Sequence, residues 1–403
     1  SPNYSHLRTT LRIAASFVAI AIAGPVWADT TPECNVGAGA ASTECGVNST
    51  ATGDQATAVG DSALATGPQS TVVGQGAAGT GVHAIAIGNS AAAVNSFTVA
   101  VGGQALAAGF DSNAFGDLAT ALGDGSTAVG GTSTAGDVFA SAFGNQAFAS
   151  AVNSTAIGAL SSATADLSSA VRFQSIASGL FSNAFGSNAA ATVDGANAFG
   201  SDTVAFGIGS TAVGDLAVAL ADDGTAVGAS SLAIGIGATA IGTNSMAGDQ
   251  GATAVGNFAN VAEEFGVAIG FNAQSDGTSA IAVGDSASAT GVGTIAIGGP
   301  VVDAMGAVTS VTTAVATNSV AIGTGAVTDF GTTPSGAASL GTSVAVGNLA
   351  SATNEDAVAI GDQANASGFH STAIGGESDA TGTGAQAFGW QANSSAQFAT
   401  SVG

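Results

Sequence analysis

Glycine returns every fourteen residues along most of this chain. Gly60, Gly74, Gly88, Gly102, Gly116, Gly130, Gly144 and Gly158 keep the interval, and after Arg172 the register resumes at Gly186 and runs unbroken to Gly298. The residue before each is Val, Ile or Phe, from Val59 to Ile297. Halfway between lies a looser series, Gly53, Gly67, Gly81, Asn95, Gly109, Gly123 and Asp137. Asn and Asp are the non-glycine residues that best tolerate positive φ. The looser series is therefore expected to mark a left-handed turn.

A half-repeat of seven residues invites a coiled coil, but a Gly in each heptad would cost about 1 kcal/mol per occurrence, and charged flanking positions are absent. Collagen would need Gly at every third residue. What remains is a solenoid whose coil holds two short strands and two tight turns, stacked into parallel ladders. The interior is expected to be filled by the Val, Ile and Phe row from one side and Ala from the other. Both parities of the strands are apolar, as in Ala84 and Ala86 beside Ile85 and Ile87. Strands of that kind are buried on both faces, so part of the outside is expected to lie against another copy of the chain.

Charged residues make up 7 % of the chain, Lys is absent, and the only basic residues are Arg8, Arg12 and Arg172. Two of the three arginines precede an apolar run, Ile13 to Gly24, followed by Val26-Trp27-Ala28. That order is a basic region, an apolar region and a small-residue cleavage site, the pattern of a signal peptide over residues 1–28. A retained membrane anchor is the other reading, and the run is short for a span. Without this leader one Arg stands against 27 acidic residues, which excludes nucleic acid and direct binding of anionic lipid. Cys34 and Cys45 are the only cysteines. In an oxidising compartment they most simply pair, closing a short loop worth about 3 kcal/mol in the chain-entropy model. Free thiols and pairing between chains are the alternatives.

The pattern breaks in three places. Residues 29–45 are irregular and are expected to form an N-terminal cap. Within the repeat block 46–298, residues 159–178 lose their glycines, which predicts a loop or distorted coil around Arg172. Residues 299–346 leave the register, with turn signals at Gly299-Pro300 and Thr333-Pro334-Ser335-Gly336 and an out-of-phase Ala321-Ile322-Gly323. They are expected to be an insertion, with the repeats continuing over 347–403. The sequence stops on the repeat, so it is expected to be a piece of a longer chain.

No catalytic, cofactor or metal site emerges. His83 and His370 have no triad signature around them. The Gly-Asp pairs at Asp54, Asp61, Asp117, Asp215, Asp285 and Asp362 hint at calcium, but the calcium-binding nonapeptide is absent, and solvated corner carboxylates are the simpler reading. Gly207-Ile208-Gly209 is no phosphate loop, since no Lys exists. Trp390 is expected to pack near a corner, an exposed contact residue being the alternative. Thr57, Thr71, Thr127, Thr155, Thr211, Thr225, Thr239 and Thr253 share one repeat position, and such a row would suit a monomeric solenoid that binds ice or polysaccharide.

The unit S-x-A-I-G-x-x-A-x-A-x-G is written at Ser154 to Gly158, Ala280 to Gly291 and Ser371 to Gly375. Over about residues 46–298 and 341–403 it resembles the head repeats of YadA-like trimeric autotransporter adhesins. The resemblance implies an all-β, left-handed parallel β-roll in a homotrimer. It implies export to the surface of a Gram-negative bacterium, or secretion. The function it implies is attachment to host matrix, surfaces or other cells, without enzymatic activity. The neck, stalk and C-terminal anchor of that family do not occur in this sequence.

Overall fold

The computed structural model describes residues 34–329 and 341–403. The expected signal peptide and the Thr333-Pro334 turn lie outside them. The chain divides into two units, residues 1–195 and 196–403. Both are β-solenoids of fourteen-residue coils, with no helix among the described residues.

Each coil holds a long strand of three residues and a short strand of two. In the first unit Thr57–Val59 pairs in parallel with Thr71–Val73, and that strand with Ile85–Ile87. The short strand Leu64–Ala65 pairs in the same sense with Ala78–Gly79. The second unit repeats the scheme, Thr211–Val213 beside Thr225–Val227 and Val218–Ala219 beside Leu232–Ala233. Partners are one repeat apart, so the spacing of the glycines sets the register.

Four-residue turns join the strands. Most are closed by the fourth N–H donating to the first carbonyl, as Ala56 does to Gly53 at 3.1 Å and Ala63 to Gly60 at 3.3 Å. The third residue is left-handed, Gln55 at φ 59° and Ser62 at φ 56°, as a type II turn requires. Gln, Ser, His, Phe and Leu all occupy this position, although it costs a non-glycine residue about 1–2 kcal/mol. Their amides offset part of that cost by extending the ladder round the corner. Gln69 N–H donates to Asp54 O at 2.7 Å and His83 N–H to Pro68 O at 2.9 Å, each one coil back.

The looser glycine series is thus not the left-handed position. Gly53, Gly67 and Gly81 open the turn, and the left-handed residue follows two places later. Glycine there admits a close approach of coils, since a Cβ on Gly67 would lie 1.9 Å from the carbonyl oxygen of Gly81, while Asn95, Asp137, Ala151 and Val193 take the equivalent position in other coils.

The core also differs from expectation. Inside are Ala58, Ala65 and their equivalents, fully buried, with inward Ser and Thr between them. Many of the hydroxyls turn back onto their own corner, Ser112 Oγ donating to Gly109 O at 2.8 Å and Thr98 Oγ1 to Asn95 O at 2.6 Å, as buried polar groups generally do, whereas those of Ser70, Ser126 and Ser371 have no protein partner. The Val, Ile and Phe row points outward instead, with Phe115 at 39 % and Ile241 at 40 % exposure. Volume is the reason. The space between the two strands admits little beyond a methyl group. Val72 takes an inward position only because Gly79 faces it, where a Cβ would lie 2.6 Å from Val72 Cγ2. Val261 relies on Gly266 in the same way, at 2.6 Å. Interiors packed to crystal density show such one-for-one compensation.

Residues 159–178 are regular coil, not a loop. Ser162–Ala163, Ser169–Val171 and Ile176–Ala177 hold their registers. Arg172 takes the glycine corner at φ 95° and donates its N–H to Ile157 O at 2.6 Å. Residues 299–346 are not one insertion. Thr313–Ala314, Val320–Ile322 and Val327–Thr328 form a coil in register with Ser288–Ala289 and Ile295–Ile297. Corners therefore fall at Gly298, Gly323 and Gly347, on either side of an ordinary coil. The residues that follow Gly298 form an antiparallel hairpin, Val301–Val302 against Val308–Ser310. Asp303 Oδ1 accepts from the amides of Met305 and Ala307 at 2.9 and 2.8 Å at its tip.

At the start, Cys34–Val36 runs antiparallel along Thr43–Cys45, the strand that begins the long-strand ladder. Cys34 and Cys45 are directly opposed and joined by a disulfide, with Cα atoms 4.1 Å apart. An added antiparallel strand leaves that edge no free ladder groups on the paired side.

Candidate functional site

With methyl groups inside, the large side chains of the repeats other than Val72 and Val261 face outward, so the surfaces of the two sheets carry the recognition chemistry. On the long-strand face the third strand residue is Val, Ile or Phe in every described coil from Val59 to Val402. The first strand residue shares that face. Between Val267 and Val358 this second row is also aliphatic, through Ile281, Ile295, Val320 and Val344. A strip two residues wide and wholly apolar results. Unpartnered apolar patches of that extent mark interaction surfaces.

The Thr row lies beside this strip rather than on a face of its own. Thr57 and Thr71 are followed by Ile85, Val99 and Asn113, and Thr253 by Val267. Only Thr211, Thr225, Thr239 and Thr253 are consecutive in the second unit. A continuous threonine lattice does not form.

The corner aspartates have two distinct placements. Asp54 Oδ1 accepts the Ala40 amide of the coil behind at 3.0 Å. Asp124, Asp166, Asp194 and Asp222 repeat the contact with Phe110, Val152, Leu180 and Ile208 at 2.8 to 3.1 Å. These carboxylates cap a corner amide that the strand ladders do not reach. Asp61, Asp117, Asp215, Asp285 and Asp362 belong to the other corner. Asp61 and Asp285 accept from the adjacent Ser62 and Ser286 hydroxyls, and Asp362 from Asn348 Nδ2 at 2.8 Å. Asp61 and Asp117 are four coils apart, on the order of 19 Å at the usual strand spacing, so the fold does not gather them round one ion.

His83 is stacked on Phe97 with ring centroids 5.2 Å apart, and Phe97 meets Phe110 edge-on at 5.6 Å. His370, in the second unit, stacks on Phe369 at 4.0 Å and has Nε2 3.4 Å from Asp356 Oδ2. With Glu355 these two groups form a cluster of possible ligand atoms within 4.8 Å of one another, at a corner that no sequence motif marks. Trp390, expected to pack, is 67 % exposed; its ring lies along the backbone of Gly376 in the previous coil.

These repeats match the family model described as the YadA head domain repeat, in overlapping stretches covering residues 51–77, 80–171, 207–273, 275–299, 312–329 and 341–392. The unmatched stretches include residues 300–311, which hold the hairpin, residues 330–340, and the coils that follow Arg172. Among solved structures, the crystal structure of the collagen-binding domain of the Yersinia adhesin YadA is similar at 20 % identity. That match covers 59 % of this chain and 67 % of that one with a TM-score of 0.16, so the assignment rests on the repeats. No curated protein sequence matches the chain. More than half of the chain is written in these units, and it belongs to the YadA head-repeat family.

Proposed function

We propose that this chain is the head of a surface adhesin: exported by residues 1–28, assembled as a homotrimer through its long-strand face, and displayed for attachment to matrix proteins or other cells. The observation that carries the proposal is the unbroken outward row of Val, Ile and Phe. A monomer would leave it in water over every coil, whereas three copies packed face to face would remove it. The strong negative charge suits a secreted surface protein that resists non-specific contact with anionic cell envelopes. The solved domain of similar repeats is described as collagen-binding, which makes a matrix protein the first ligand class to try.

Two experiments test this. Sedimentation equilibrium on the purified chain should give the mass of three copies; a monomer mass would remove the basis for face-to-face assembly. Display of the chain on a non-adherent bacterium, by a heterologous anchor, should confer attachment to surfaces coated with matrix proteins. Attachment no greater than that of the anchor alone would contradict the adhesive role.

A further inference from the structure

The short-strand face of the second unit carries an apolar patch that assembly through the long-strand face does not explain. We propose that this patch, centred on Phe206, Leu220 and Ile234, is a docking surface for an extended protein segment bearing apolar residues beside Lys or Arg. The inference rests on the adhesin reading for its biological setting, and it names the surface and the chemistry of the partner.

Three successive coils build the patch. Val204, Val218 and Leu232 stand side by side in the short-strand ladder, with Met246 after them. Phe206, Leu220 and Ile234 follow two residues later on the same face. Their amides donate to Ala219, Ala233 and Ala247 of the next coil at 2.8 to 2.9 Å, so the three side chains hold ladder spacing. Ile208 and Ile236 extend the surface onto the corner, flanking Asp222, whose carboxylate accepts the Ile208 amide. Phe206, Ile208 and Ile236 are 56–57 % exposed.

The same face is polar a few coils later. At the positions of Val204 and Phe206 stand Asn260 and Ala262, then Gln274 and Asp276, then Ser288 and Thr290. Apolarity is therefore confined to one stretch, unlike the long-strand row. The fold does not demand it, because the inward residues alternate with these positions and stay small on both sides of the change, Ala205, Ala219, Ala233 and Ala247 in the patch and Val261, Ser275 and Ala289 beyond it.

Charge selects the partner. Asp202 and Asp215 lie at the corner where the chain reaches the short strands, and Asp222, Asp223 and Asp249 at the corner where it leaves them. Residues 196–403 contain no Lys or Arg. An apolar surface between two acidic borders attracts segments with cationic side chains flanking apolar ones and repels acidic ones. The parallel ladders present no free strand edge along the face, so recognition works through side chains. A flat surface with ladder spacing accommodates an extended segment.

The test is fluorescence anisotropy on the intact chain with three labelled peptides of equal length: Leu alternating with Lys, Leu with Glu, and Ser with Lys. The Leu–Lys peptide should bind, more weakly as salt is raised, and the other two should not. The exposed pair Phe206→Ser and Ile236→Ser should weaken Leu–Lys binding at least about tenfold, equivalent to about 1.4 kcal/mol, with circular dichroism and sedimentation unchanged. The pair Ser351→Ala and Ser367→Ala, on the same face outside the patch, should leave it unchanged. Absent Leu–Lys binding, equal binding of Ser–Lys, or full binding by the Phe206/Ile236 variant would each overturn the proposal. The bacterial attachment assay reads the adhesin role independently, so a failed peptide titration with retained attachment removes the patch alone.

Discussion

The long-strand and short-strand faces are built from the same repeat and the same Ala interior, yet they vary in opposite ways. On the long-strand face the outward row stays Val, Ile or Phe from Val59 to Val402. Where the row carries Phe, at residues 115, 143, 185, 199 and 388, the companion two residues earlier is Asn113, Ser141, Asn183, Asn197 or Gln386, never a β-branched residue. A large ring beside an unbranched polar neighbour keeps the face level from coil to coil. On the short-strand face the equivalent row passes from Leu106 to Thr120, Phe148 and Ser162, and later from Leu232 to Asn260. A face that stays constant over many coils suits one constant partner, a second and third copy of itself. A face that changes locally suits local ligands.

The contrast can be broken by substitution, and the largest effect should come from charge on the constant face. Val227→Asp with Ile241→Asp would bury unpaired carboxylates between copies, at about 3–5 kcal/mol each, and sedimentation should show the trimer reduced to monomer. Val218→Asp with Leu232→Asp, on the variable face of the same coils, should leave the trimer intact. Loss of assembly in both would erase the distinction between the faces.

A smaller effect should come from the methyl core that both faces share. Gly79→Ala should cost about 1–3 kcal/mol by overpacking against Val72. Adding Val72→Ala should recover most of it, giving a coupling of about 0.5–3 kcal/mol in a double-mutant cycle, read by chemical denaturation. Independent, additive losses would mean that the two residues do not share one gap.

The smallest effect belongs to the corners. Asp222→Ala removes the acceptor for the Ile208 amide and should cost about 0.5–1.5 kcal/mol. Asp61→Ala, which loses only a contact with the Ser62 hydroxyl, should stay within about 0.5 kcal/mol. Thermal unfolding of the two variants separates a structural carboxylate from a merely solvated one.

Much of this was legible in the sequence. The glycine interval dictates which strands pair, and the pairing Thr57 to Thr71 to Ile85 follows from it directly. Which side is inside was not legible from hydrophobicity, because Thr57-Ala58-Val59 is acceptable to either face. Size was the informative signal. A row that alternates between Val59 and Phe115 cannot fill an interior of fixed width, whereas the row of Ala58, Ala86 and Ala114 can. The left-handed corner was misplaced for a related reason. Its true positions include Gly76, Gly125 and Asn153, but Gln, Phe and Leu dilute the series. The coil at 313–328 was hidden because the intervals from Gly298 to Gly323 and from Gly323 to Gly347 both exceed one repeat and shift its phase. The patch at Phe206 went unnoticed since a strand of two residues carries no periodicity of its own.

In the proposed trimer the outward Val, Ile and Phe row lies between copies while the short-strand row faces solvent. Maleimide labelling of Ile241→Cys and Leu232→Cys, each in the chain with its native disulfide, tests it directly. Labelling at 232 should be fast in the native protein, and labelling at 241 should be slow until denaturant separates the copies. Equal fast labelling at both positions would contradict the account.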